Sequence, residues 1–244
     1  MHTIEHLERV RQLAQGGGGV IDADTRMSAG SYEAAMHAAG AAILATRMSL
    51  EGSPTFAAVR PPGHHATATR AMGFCLINNV AVAAYDALEG MGLDRVLIVD
   101  WDVHHGNGTQ AIVEADPRIR YVSMHQWPLY PGTGATGETG VGNVFNVPLP
   151  GGLARDRYRR ALNEAVDRAT VGWTPDVVLI SAGFDAMAGD PLAAFTLESE
   201  DYGDWIANWS QIGAPITMVL EGGYVPSRIA GAALASVTAM AQLR

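Results

Sequence analysis

Val96-Leu97-Ile98-Val99-Asp100-Trp101-Asp102-Val103-His104-His105-Gly106-Asn107-Gly108-Thr109 is the stretch that decides the fold. Its apolar, largely β-branched start predicts a strand buried on both faces, which requires a parallel sheet covered by helices on either side. The strand then runs into two carboxylates and two adjacent imidazoles. Such groups are costly to bury unless each is hydrogen-bonded, neutralised or bound to a metal. Alternate side chains of an extended chain share a face, so Asp100, Asp102 and His104 point one way and Trp101 and Val103 the other.

Working outward, short apolar runs predict further strands at Thr55–Arg60, Ile119–His125, Val144–Leu149, Asp176–Ala182 and Ile216–Glu221, with the central one spanning Arg95–Asp102. Helical patterns fall around His2–Ala14, Ser31–Met48, Asn78–Leu88, Thr109–Glu114, Ala154–Val171, Tyr202–Ser210 and Ser227–Ala241. Strand–helix alternation of this kind gives an α/β fold, a mainly parallel sheet with helices on both faces. Ligands of such sheets sit beyond the carboxyl ends of the strands. The unusual polar clusters fall there: Pro61-Pro62-Gly63-His64-His65, Asp100–Asn107, Ser181-Ala182-Gly183-Phe184-Asp185 and Glu221-Gly222-Gly223-Tyr224. The run Gly16–Gly19 is expected to form a flexible loop. No linker or repeat divides the chain, so residues 1–244 are expected to form a single domain.

Composition removes several function classes. The formal charge of −9 argues against a nucleic-acid surface and suits a cationic substrate. All 16 basic residues are Arg. Without lysine there is no Schiff-base or pyridoxal-phosphate anchor and no P-loop lysine. The single Cys75 excludes an internal disulfide. The absence of a basic apolar leader and of any membrane-length apolar stretch leads to the expectation of a cytoplasmic protein that does not enter a membrane.

Asp102 and His104, two residues apart, can chelate one divalent ion, and Asp185 at the end of a neighbouring strand can complete the set. Two oxygens and one nitrogen with an open position describe a catalytic site, whereas a structural zinc site uses four Cys or His ligands. Asp100 is placed to orient an imidazole. A neutral His64 or His65 could take a proton from water activated by the metal. Tyr224, after two glycines, could donate to an oxyanion. The bland alternatives are a buried ion pair for Asp102 and His104, a helix cap for Asp185 and packed core histidines for the tandem pair. His2, His6 and His37 are expected on helix surfaces, and His105, His125 and Trp127 carry no assignment.

These residues, together with Arg60–Ala66, Gly73-Phe74-Cys75, Asn78-Asn79, Tyr130–Gly134 and Gly183–Asp185, resemble the histone deacetylase superfamily. The likeness is greatest to class II-like bacterial deacetylases and acetylpolyamine amidohydrolases. The resemblance implies the arginase–deacetylase fold and hydrolysis of an acyl-amide such as acetyl-lysine, an acetylpolyamine or a similar N-acyl amine, as a small molecule or in a peptide. It implies one zinc ion (iron(II) in some members) on Asp102, His104 and Asp185. His65 becomes the general base and later acid, partnered by Asn107. His64, paired with Asp100, helps position water, and Tyr224 polarises the carbonyl. Gly73, Phe74, Tyr130, Gly222 and Gly223 are implied to line the substrate tunnel. A structural potassium ion is implied at Asp100, Asp102, His104, Ser123 and Met124. Members of the family carry several dozen residues before the equivalent of His2, so the N-terminal part of the usual fold is expected to be missing here. The tunnel mouth is expected to change, and association into a homo-oligomer is left open.

Two other functions compete. A binuclear manganese ureohydrolase on the same fold needs further carboxylates, but Met187 and Gly106 occupy the relevant positions. A non-catalytic acyl-binding module would show loss of a ligand or of Tyr224, and neither is lost.

Overall fold

Residues buried on both faces of a strand need a strand on either side and a helix layer above and below. Val96–Asp100 (β4) and Val177–Ala182 (β7) are buried at every position and pair with each other in parallel, as the apolar runs require. The structure, a computed structural model, describes residues 1–242, so the last two residues of the expected 1–244 domain lie outside the described residues. Chain order runs through α1 (Ile4–Gln15), β1 (Gly18–Val20), β2 (Arg26–Ser28), α2 (Ser31–Leu50), β3 (Thr55–Ala57) and α3 (Asn79–Tyr85) to β4. It continues with α4 (Asn107–Val113), β5 (Ile119–Gln126), β6 (Val144–Leu149) and α5 (Arg155–Thr170) to β7, then α6 (Ser199–Trp209), β8 (Ile216–Leu220) and α7 (Pro226–Ala241). The main sheet has six strands in the order β3-β8-β7-β4-β5-β6, all parallel.

Alternation along β4 and β7 divides the core. Leu97, Val99, Val178 and Ile180 join α5, α6 and α7 on one face. Val96, Ile98, Val177 and Leu179 join α2, α3 and α4 on the other. Trp101 sits in the first layer with its ring 5.4 Å from Tyr202 and 5.7 Å from Trp205, fixing the base of the segment that carries Asp102 and His104. Successive connections leave β4 toward β5 on one side and return through β7 to β8 on the other. The strand order reverses between β4 and β7, and a crevice opens at their carboxyl ends.

Three expectations change. Gly18 and Gly19 are not a free loop: they pair antiparallel with Ser28 and Met27 in a short hairpin. The missing side chain lets the β1 backbone lie directly against Met27. His6 is buried, because α1 lies on the chain after the tandem histidines and its Nε2–H donates to the Leu76 carbonyl at 2.8 Å. His2 is half-buried, and its Nε2 accepts from the Asn78 N–H at 2.8 Å; His37 is exposed as expected. Finally, the helix read as Asn78–Leu88 ends at Tyr85 and continues as a single wider turn over Asp86–Gly90. Among the described residues, no helix is long and apolar enough to cross a membrane.

Candidate active site

The strand β4 ends at Asp100, so Asp102 and His104 are not held by sheet alternation. Side-chain caps replace it. The Asp102 N–H donates to Asp100 Oδ1 at 3.1 Å, the His104 N–H donates to Asp102 Oδ1 at 2.9 Å, and the Val103 N–H donates to Asp185 Oδ1 at 2.8 Å. Each carboxylate thereby folds the turn and turns an oxygen inward.

Asp102, His104 and Asp185 each offer one ligand atom, all within 4.8 Å of one another and all buried. His104 Nδ1 lies 3.1 Å from both Asp102 Oδ1 and Asp185 Oδ2. One imidazole nitrogen cannot satisfy two carboxylates with one neutral N–H. Burial opposes a charged His104, yet its bonds to Asp102 and Asp185 push it up to about 11. Burial and the charge of Asp102 push the Asp185 carboxyl up to about 6. Three buried donors this close together could hold a cation, and glycine backbone packs directly against their carboxylates. A Cβ at Gly183 would run into the Asp102 carboxylate, and one at Gly222 would meet the carboxylates of both Asp102 and Asp185. This donor set fits a divalent metal with an open coordination position.

The tandem histidines stand in opposite electrostatic settings. His64 Nδ1–H donates to Asp100 Oδ2 at 3.1 Å, and Asp100 also accepts from the Tyr121 hydroxyl at 2.9 Å. Burial works against a cation there, but the carboxylates of Asp102 and Asp100 outweigh it and hold His64 up at about 10. His65 Nδ1–H donates to the uncharged Asn107 Oδ1 at 2.9 Å. Burial and the charge of neighbouring His64 therefore depress it well below the usual histidine value. Burial and the charges of Asp102 and Asp185 keep the Tyr224 phenol protonated.

His64, His65, His104 and Tyr224 open onto one cavity of about 330 Å³. Gly73, Phe74, Tyr130 and Gly222 line it. Gly223 does not: its Cα faces Phe184 and Ile229 of α7, because the turn swings it away from the opening. Asp100 and Asn107 stand behind the histidines. Ser123 is the register partner of Asp100, Met124 follows it, and both are buried. The Ser123 hydroxyl donates to His125 Nδ1 at 3.1 Å. The rings of His105 and His125 lie tilted with centroids 4.7 Å apart and bond to Gln110 and the Gly134 carbonyl, away from the cavity.

Some contributors had no signal in the sequence reading. Asp24, in the hairpin loop, lines the cavity, as do Leu129 and Leu192. Glu221, in the Glu221–Tyr224 cluster, carries no role in the sequence reading. Its carboxylate accepts from the N–H groups of Gly63 at 2.6 Å and His64 at 3.1 Å, tying β8 to the tandem-histidine turn.

The model of the histone deacetylase domain matches residues 1–240. The chain belongs to the histone deacetylase family. Family relatives include an uncharacterized protein of Synechocystis, 46% identical and covering 91% of this chain and 74% of that protein. A probable deacetylase of Methanothermobacter thermautotrophicus is 41% identical, covering 94% and 71%. A histone deacetylase-like amidohydrolase of Pseudomonas aeruginosa is 37% identical, covering 100% and 67%. The crystal structure of the HDA15 HD domain superposes with a TM-score of 0.93 at 41% identity over 98% of this chain and 73% of that one. Acetylpolyamine aminohydrolase from Burkholderia pseudomallei gives 0.82 at 32% identity over 93% and 68%. The architecture is thus the arginase–deacetylase fold expected from the motifs, and the chain is a deacetylase-family hydrolase.

Proposed function

We propose that this chain is a zinc-dependent amidohydrolase that removes an acyl group from a linear N-acyl amine, such as acetyl-lysine or an acetylpolyamine. The observation that carries this is the convergence of Asp102, His104 and Asp185 on one point beside a cavity into which His65 and Tyr224 also open. A divalent ion on those three residues would supply Lewis-acid activation of the acyl carbonyl and would acidify water.

The chain's own groups do the rest. Neutral His65, with Nδ1–H held by Asn107, keeps Nε2 free to accept a proton from water and then to pass it to the leaving amine. His64, cationic beside Asp100, supports the negative charge that develops on the substrate. The Tyr224 phenol, held protonated, donates to the carbonyl oxygen. Apolar walls from Phe74, Leu129, Tyr130 and Leu192 suit an unbranched chain, and the net charge of −9 favours an amine that carries positive charge. One catalytic domain working in the cytoplasm, with a potassium ion on Asp100, Asp102, His104, Ser123 and Met124, belongs to the same proposal. A second metal has little support. Met187 is buried in the apolar core, Gly106 has no side chain, and Asp102, His104 and Asp185 form the one such group among the described residues.

The test is acyl release from acetyl-lysine peptides, acetylpolyamines and longer-chain acyl amides by metal-analysed protein. Turnover lost to a chelator and restored by zinc, with iron(II) as the comparison, supports the proposal. No turnover on any acyl-amide by metal-loaded protein would instead favour a binding module.

A further inference from the structure

We propose that the buried carboxylate of Asp190 is the positioning residue that sets Tyr224 and the Leu192 wall against each other across the cavity. The inference deepens the proposed function, since it rests on Tyr224 acting as donor to the substrate carbonyl.

Tyr224 needs an anchor. It belongs to neither β8 nor α7, and it follows Gly223, whose φ of +122° is a region other residues rarely adopt. A swivel of this kind leaves the next residue free to point in many directions. Two carboxylates close the swivel. The Gly222 N–H donates to Asp102 Oδ2 at 2.8 Å, before Gly223, and the Tyr224 N–H donates to Asp190 Oδ2 at 2.9 Å, after it. The latter is the one hydrogen bond found for Tyr224 among the described residues.

The other oxygen of Asp190 accepts from the Leu192 N–H at 3.0 Å, and Leu192 lines the same cavity. Asp190 itself is only 7% exposed. Its own N–H donates to the Met187 carbonyl at 3.2 Å, two residues beyond Asp185, and the bridge between Met187 and Leu197 closes the loop. One side chain therefore holds the backbone of the residue that carries the donor phenol and the backbone of an apolar wall residue, on a loop that starts at the candidate ligand Asp185. Charge-assisted bonds to backbone N–H groups are the strong kind, and both of these are made by one rigid, short side chain.

Asp190→Asn preserves shape and one acceptor but turns an amide N–H₂ toward one of the two donors. The experiment is a double-mutant cycle with Tyr224→Phe, reading kcat and KM on an acetyl-lysine peptide with metal content and melting temperature matched. A positioning role lowers kcat of the otherwise native enzyme by about 10- to 100-fold. In the Tyr224→Phe background, the same substitution changes the residual kcat by less than about threefold, because the group it positions is gone. Equal losses in both backgrounds, or an unchanged kcat in the first, would overturn the proposal while leaving the amidohydrolase reading intact. Absence of turnover by the native enzyme would overturn that reading and this proposal with it. If Asp190→Asn does not fold, the cycle is repeated with Asp190→Ser, and failure of both to fold makes the role purely structural and overturns the proposal.

Discussion

Thr25 Oγ1 accepts a hydrogen bond from the backbone N–H of Phe74 at 3.1 Å, across 49 positions of sequence. Phe74 has φ of +66°, an uncommon conformation for a residue with a side chain, and its ring forms one wall of the cavity. The hairpin, whose first strand begins inside the Gly16–Gly19 run expected to be a flexible loop, thus holds a strained pocket residue in place.

Thr25→Val keeps the shape and removes the acceptor. Loss of one such bond is worth about 0.5–1.5 kcal/mol, so KM for an acyl-amide rises roughly two- to tenfold. The kcat should stay within about twofold, since the reacting groups are untouched. Steady-state kinetics on the variant decides this, and an unchanged KM would show that Phe74 holds its conformation without the hairpin.

Asn107→Asp places a carboxylate on His65 Nδ1–H, where an uncharged oxygen now sits. A negative partner favours the imidazolium, so the His65 value rises from its depressed position. A base that must be neutral then becomes available only at higher pH. The acidic limb of kcat/KM should therefore move upward, and a pH–rate profile measures it. A limb that stays in place would remove His65 from the role of base.

His125 is buried against His105, with Glu138 also nearby, and burial lowers it to about 4. The folded state holds this proton less tightly than the unfolded chain, whose histidine titrates near 6.5. Its contribution to stability is full above that value and is lost as pH falls from about 6.5 to about 4, amounting to about 3 kcal/mol. His125→Gln should flatten the decline in urea midpoint between about pH 7 and about pH 5 relative to the native chain. An identical slope would refute the assignment.

What the sequence made legible follows from physics that acts locally. Strands buried on both faces announce themselves as unbroken apolar runs, so β4 and β7 were readable almost to their ends. The convergence of Asp102, His104 and Asp185 was readable because carboxylates and imidazoles after such a run are costly to bury without partners. Strand ends were less so: the strand read as Thr55–Arg60 stops at Ala57, where pairing with β8 gives out. The hairpin was invisible because its strands have three residues each and two of them are glycines. Asp190, Glu221 and Thr25 act through bonds to backbone N–H groups 34, 158 and 49 positions away. Nothing in their local sequence marks a long-range acceptor, and only the folded chain brings each to its partner. His6 was misplaced for the same reason, since helix periodicity alone does not show which face meets the segment after the tandem histidines.

The central claim is that Asp102, His104 and Asp185 grip a single divalent ion. Asp185→Asn keeps an oxygen for the Val103 N–H and removes the charge. The decisive measurement is metal content by elemental analysis after equilibration with zinc, on the native chain and on this variant. The account predicts one equivalent in the first and far less than one in the second. Two equivalents in the native chain, none at all, or full retention by Asp185→Asn would contradict it.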